Sequence, residues 1–163
     1  MTKSMKSLIE QNKEWILEKW LNRRLALFSK QKHSLIAAQM DQFQNPIRHE
    51  IFEGLKVILD NFETKGEKFT ESLDQISRVL AIQDFPPSRA MSLFYELKEI
   101  IQERAKKTGV SFGHKEWVEF NSRVEKMTLE AFDSYIGHRE TIYQLKVDES
   151  KNKAFMLLKK ARL

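Results

Sequence analysis

The sequence predicts an all-α protein, and three observations carry that prediction. Only 5 of its 163 residues are Gly and 3 are Pro, so the residues that punctuate loops and short strands are scarce. Apolar residues recur at steps of three and four over most of the chain, the period of a half-buried helix. No run of convincing length alternates apolar and polar residues as a strand with one wet face would. With 41% apolar and 31% charged residues, the composition fits one ordinary domain with a sizeable core. The expectation is a single domain of five to seven helices, globin-like or bundle-like.

Ser4 or Ser7 opens a first helix reaching about Phe28, with Ile9, Ile16, Leu17, Trp20, Leu21, Leu25 and Phe28 on a broad apolar face. Residues 29–44 fit a short helix or a packed loop equally well. At Asn45-Pro46 the chemistry sharpens: Asn caps a helix N-terminus well, and Pro in the first turn gives up no needed N–H. The stripe Ile47, Ile51, Leu55, Ile58, Leu59 and Phe62 then runs to Thr64, where Lys65-Gly66 supplies a stop.

A third helix beginning around Thr70 is marked by Leu73, Ile76, Val79 and Leu80 and ends near Gln83. Pro86-Pro87 cannot sit in a helix interior, so Asp84-Phe85 forms a tight corner and the prolines open the next helix. That fourth helix has the cleanest period, through Ala90, Leu93, Phe94, Leu97, Ile100 and Ile101, and closes at Lys106-Lys107-Thr108-Gly109. Trp117, Phe120, Val124, Met127, Ala131 and Tyr135 trace a fifth. Gly137 is expected to bend or break it, with a terminal helix beyond through Ile142, Leu145, Phe155, Leu158 and Leu163. Trp15, Trp20, Trp117, Phe94, Phe120 and Phe132 lie on or near these stripes and are expected to pack in the core.

The net charge of +5 is a property of one end. Residues 1–150 balance 23 basic against 23 acidic side chains, whereas 151–163 hold Lys151, Lys153, Lys159, Lys160 and Arg162 and no acid. The domain is therefore read as 1–150, followed by a basic amphipathic segment, 151–163. This segment docks on the body or a partner helix, the favoured expectation, or lies on an anionic membrane surface. A neutral body argues against nucleic acid as a partner. The absence of Cys excludes disulfides, thiolate metal sites and cysteine nucleophiles. No run approaches a membrane span and the N-terminus lacks an apolar signal core, so the expected location is the cytoplasm.

No nucleophile elbow, phosphate-cradling Gly-rich loop or H-E-x-x-H motif occurs, and the expectation is a binding protein and not an enzyme. His33, His49, His114 and His138 include no pair at the i, i+4 spacing of two ligands on one helix face, and no metal or cofactor is expected. The alternative is a small-ligand or haem-binding helical protein with a redox-linked role, for which His49 and His138 are the two histidines to test.

Ile16-Leu-Glu-Lys-Trp20, Phe43-Gln-Asn-Pro-Ile47, Ala81-Ile-Gln-Asp-Phe-Pro-Pro-Ser-Arg-Ala90, Arg139-Glu-Thr-Ile-Tyr143 and Lys146-Val-Asp-Glu149 occur in the order of the landmarks of the RsbRD N-terminal domain. This is the RsbT co-antagonist family of bacterial stress signalling, and the chain resembles it over nearly its whole length. The resemblance implies an all-helical sensory or regulatory domain related to globin-like sensors that work without haem. In RsbRD itself a STAS output domain follows, so a chain ending at Leu163 resembles a stand-alone member. Leu80 stands where the family often has Arg, and His138 where it often has Cys, so properties resting on those two residues are not implied. Stand-alone relatives resemble proteins encoded beside membrane-bound redox complexes of sulfite reduction, which implies a partner there.

Asn45, Pro46, Gln83, Asp84, Phe85, Pro86, His138, Arg139 and Glu140 form the expected interaction set. Its sensitive elements are the Gln83–Ser88 corner and the Gly137–Glu140 break, irregularities where a binding event changes helix packing. The expected partner is an unidentified protein, with peripheral membrane or membrane-complex association through 151–163 and homo-oligomerisation as further options.

Overall fold

The computed structural model describes residues 4–23 and 46–162. Leu25, Phe28, the ambiguous 29–44 stretch, Asn45 and Leu163 lie outside them. All regular structure among the described residues is helical, as the sparse Gly and Pro and the three-to-four periodicity require.

Helix α1, Met5–Gln11, starts where Ser4 accepts the Ser7 N–H at 3.2 Å through its hydroxyl, an ordinary N-cap. It meets α2, residues 13–23, at an elbow on Asn12. The Asn12 amide donates to the Leu8 carbonyl at 2.8 Å, while its side-chain oxygen accepts from Arg104 Nε at 2.7 Å. One polar side chain thus closes α1 and ties the elbow to Arg104, 92 residues further along the chain.

Helix α3, Pro46–Asp60, begins on the expected proline but ends before Thr64. Residues 61–64 form a turn, and the left-handed conformation that closes it falls on Lys65 (φ 46°), not on Gly66. Gly66 is extended and caps α4, Glu67–Ile82, which therefore starts three residues before Thr70. Gly54 lets α3 approach α4 closely: a Cβ there would stand 2.7 Å from two carbons of buried Ile76.

After the 83–86 corner come α5, Pro87–Tyr95, and α6, Leu97–Thr108. The sequence predicts these as one helix. They part at Glu96, whose backbone stays right-handed (φ −64°, ψ −16°). The buried Trp20 indole donates to the Leu93 carbonyl at 2.6 Å, taking the acceptor that the Leu97 N–H would use in an unbroken ladder. Gly109 (φ 68°) closes α6 as expected, with the Val110 N–H reaching the Ala105 carbonyl at 2.9 Å.

The last element, α7, differs most from expectation. It runs unbroken from His114 to Ala161, 48 residues, or about 70 Å. Gly137 does not break it. A glycine costs a helix interior only about 1 kcal/mol against Ala, and Ser134, Tyr135, His138 and Arg139 on either side are all bonded to the body. Tertiary contacts thus hold both flanks in register. The 150/151 boundary falls inside this helix.

Helix α4 lies between α3 and α7, and α5 packs on α7. The core is built from Trp20, Leu55, Phe69, Ile76, Phe94 and Tyr135 with their neighbours. Trp15 and Trp117 sit at its edge. Phe132 is not in the core: it points outward, 41% exposed. The basic segment does not dock on the body either, since every residue from Tyr143 to Arg162, 151–162 included, is exposed. Past Ile142 the line that faces the core upstream mixes Leu145 and Met156 with Glu149, Lys153 and Lys160, so charge interrupts any continued apolar contact.

Candidate functional site

The corner after α4 and the middle of α7 form one polar junction. Gln83 caps α4, its N–H reaching the Val79 carbonyl at 3.2 Å, and the Asp84 N–H reaches Ala81 at 3.1 Å. Asp84 itself takes the left-handed conformation (φ 59°), which Asp tolerates better than most residues. Phe85 turns its ring into the core, and Pro86 is extended (φ −55°, ψ 141°) to cap α5. The prolines thus restart the helix as the sequence predicts.

Arg139 clamps this corner. One guanidinium nitrogen donates to the Ala81 carbonyl at 2.9 Å and the other meets the Asp84 carboxylate at 2.7 Å. A cation is favoured where helix carbonyls run out, and the planar fork suits two acceptors at once. The guanidinium carbon lies 4.9 Å from the centre of the Tyr143 ring. Its hydrogen bond with Tyr143 and the charge of Asp84 outweigh burial and hold Arg139 more firmly protonated than usual. One turn earlier, the buried Tyr135 hydroxyl donates to the Phe85 carbonyl. Tyr135 and Arg139 are one turn apart, so adjacent turns of α7 grip the backbone at both ends of the corner, with Tyr143 a turn further on against the guanidinium.

A second contact lies alongside. The Asp74 carboxylate on α4 accepts from the Ser134 hydroxyl and meets His138 Nε2 at 2.9 Å. The Ser134 hydrogen bond, with those of His138 and the charges of His138 and Arg78, outweighs desolvation and lowers the Asp74 pKa below its ordinary value.

The corner therefore brings Asp84, Phe85 and Arg139 together, with His138 beside them and Gln83 and Pro86 as the backbone caps. Asn45 lies outside the described residues. Pro46 opens α3 and takes no part in the clamp, and Glu140 is exposed on α7. Asp74, Ser134 and the clamp roles of Tyr135 and Tyr143 were absent from the expected set; the i, i+4 spacings Ser134/His138 and Tyr135/Arg139/Tyr143 are the signal that would have found them. His49 is exposed on α3 and lines a groove of about 690 Å³ with Leu17, Leu21 and Phe52. No group of three or more potential metal ligands occurs among the described residues.

No protein-family model matches the chain, and no solved structure matches it. An uncharacterized protein of Archaeoglobus fulgidus is 26% identical over 102 residues, which is 62% of this chain and 64% of that protein. The match thus spans just under two thirds of the relative's length.

Proposed function

We propose that this chain is a non-catalytic regulatory or sensory module that acts through protein–protein interaction in bacterial signalling. The observation that supports this most is the Arg139 clamp, which joins an irregular corner between α4 and α5 to a helix projecting beyond the body. A partner or signal that engages Asp84, or frees the Ala81 carbonyl, takes acceptors away from Arg139. The packing of α7 then shifts to the extent that the ligand binds the two arrangements unequally. The ordered landmarks of the RsbRD N-terminal family favour the same reading, including its globin-like sensory role in the stress response, a protein partner and a cytoplasmic site of action. No helix among the described residues is long and apolar enough to cross a membrane.

Affinity capture from native cells tests it, using the full chain, Arg139→Ala and a chain cut before Lys151. A protein retained by the full chain and lost or weakened with Arg139→Ala supports the reading. A set of captured proteins identical for the full chain and Arg139→Ala contradicts it.

One observation favours a second reading as a small-ligand or haem-binding protein, namely His49 beside Leu17, Leu21 and Phe52 in the α2–α3 groove. His138 is less suited to bind iron because its Nε2 already meets Asp74. A Soret band on haem addition that His49→Ala abolishes supports this alternative; no band disposes of it.

A further inference from the structure

Helix α7 has two apolar faces. Phe120, Val124, Met127, Ala131 and Tyr135 are buried against the body. On the other side Val118, Leu129, Phe132, Tyr143, Val147 and Leu157 are between 41% and 67% exposed. At about 100° per residue these six fall within a band roughly 80° wide, centred about 125° around the helix from the core face. Leu129 and Val147 are five full turns apart, as are Tyr143 and Ala161, so the stripe continues along the projection.

Charge divides along the same helix. Residues 116–140 carry Glu116, Glu119, Glu125, Glu130, Asp133 and Glu140 against Arg123, Lys126 and Arg139; Glu125, Glu130 and Arg139 are paired within the chain with Lys98, Lys65 and Asp84, which leaves four acids against two bases. Residues 146–162 carry Lys146, Lys151, Lys153, Lys159, Lys160 and Arg162 against Asp148 and Glu149. The upstream half is acidic and the projecting half basic. Two such helices side by side repel when parallel and attract when antiparallel.

We propose that the outer face of α7 is a docking surface for α7 of a second copy of this chain, antiparallel and two-fold symmetric about a point near Tyr143. In that register Leu129 faces Leu157 of the second copy, Phe132 faces Ala154, and Tyr143 faces its own counterpart. A large residue meets a small one at the Phe132–Ala154 level, as close packing of helices favours. The span from Leu129 to Leu157 is four heptads, or about 42 Å. Asp133 and Lys151 fall on the same edge and come together twice by symmetry. Both are exposed. An anionic membrane suits the projection less well: Phe155, Met156, Leu157 and Leu158 are consecutive, so they point around the helix and form no single insertion face. The proposal rests on the interaction reading only in taking α7 as a docking element, and the signalling role can fail with self-pairing intact.

Sedimentation equilibrium on the full chain should give twice the 19.3 kDa of one copy. Leu129→Asp and Leu157→Asp should each give monomers with unchanged helical circular dichroism, because both side chains lie outside the core. Asp133→Lys should weaken association about tenfold, and adding Lys151→Asp should restore it. The chain has no Cys, so Leu129→Cys and Leu157→Cys protein can be mixed and oxidised. Antiparallel pairing gives the mixed cross-link, whereas homodimeric cross-links at each position alone overturn the orientation. A monomer throughout the micromolar range, whether or not it binds vesicles of anionic phospholipid, overturns the proposal. So does a dimer that both Asp variants leave intact, or a charge swap that restores nothing.

Discussion

Replacing Arg139 with Ala removes three contacts whose values can be argued separately. The Ala81 carbonyl belongs to a residue with no exposed surface, and losing a charged donor to it costs about 1.5–3 kcal/mol. The ion pair with Asp84 is worth less, about 0–1 kcal/mol, because that carboxylate is 67% exposed. The Tyr143 ring contact adds about 0.5–1 kcal/mol. Since the three share one side chain and do not add fully, the expected loss is about 2–4 kcal/mol. For a chain of this size that lowers Tm by about 6–12 °C. Urea and thermal unfolding of Arg139→Ala measure it directly. Arg139→Lys should fall between the two, keeping the charge and losing the fork. Asp84→Asn should cost under about 1 kcal/mol, since Asn also tolerates the left-handed backbone. A loss below about 0.5 kcal/mol for Arg139→Ala would refute the clamp, as would equal losses for Arg139→Ala and Asp84→Asn.

Three further outcomes follow from the same geometry. Gly137→Ala adds a methyl into open space within a helix and should stabilise by about 0.5–1 kcal/mol, whereas Gly54→Ala drives a methyl into Ile76 and should destabilise despite the same propensity gain. Chemical denaturation of the two variants distinguishes these signs. The lowered Asp74 pKa makes its contribution to stability full above the ordinary carboxylate range and lost as pH falls through the still lower folded value. The advantage of wild type over Asp74→Asn, under about 1 kcal/mol for a carboxylate 57% exposed, should therefore shrink below about pH 4, as read from unfolding at stepped pH. Trp20→Phe should lose about 1–3 kcal/mol by removing the Leu93 bond and some packing, and protection of the Leu97 amide should rise as the helical ladder closes.

Much of the fold was legible because its signals are local. Pro46, Pro86-Pro87 and Gly109 each set a backbone conformation by their own covalent structure, and each begins or ends a helix where the sequence places it. The interruption at Glu96 was not legible, because its cause is the indole of Trp20, 73 residues before Leu93 in the chain. Gly137 misled for the complementary reason: local propensity disfavours it, but contacts from α4 and the corner hold the turns on both sides. The corner itself could be read from Asp84-Phe85-Pro86, while its lock could not, since Arg139 meets Ala81 and Asp84 only after α7 packs on α4. Phe132 shows the limit of periodicity, since α7 has two apolar faces and a stripe alone does not say which one is covered.

Hydrogen exchange on Arg139→Ala beside wild type tests the central claim, that the clamp couples the corner to α7. Exchange should rise together at 83–88 and at 135–143, while 116–130 stays protected by Phe120, Val124 and Met127 in the core. A rise confined to the corner, with 135–143 unchanged, would contradict the coupling.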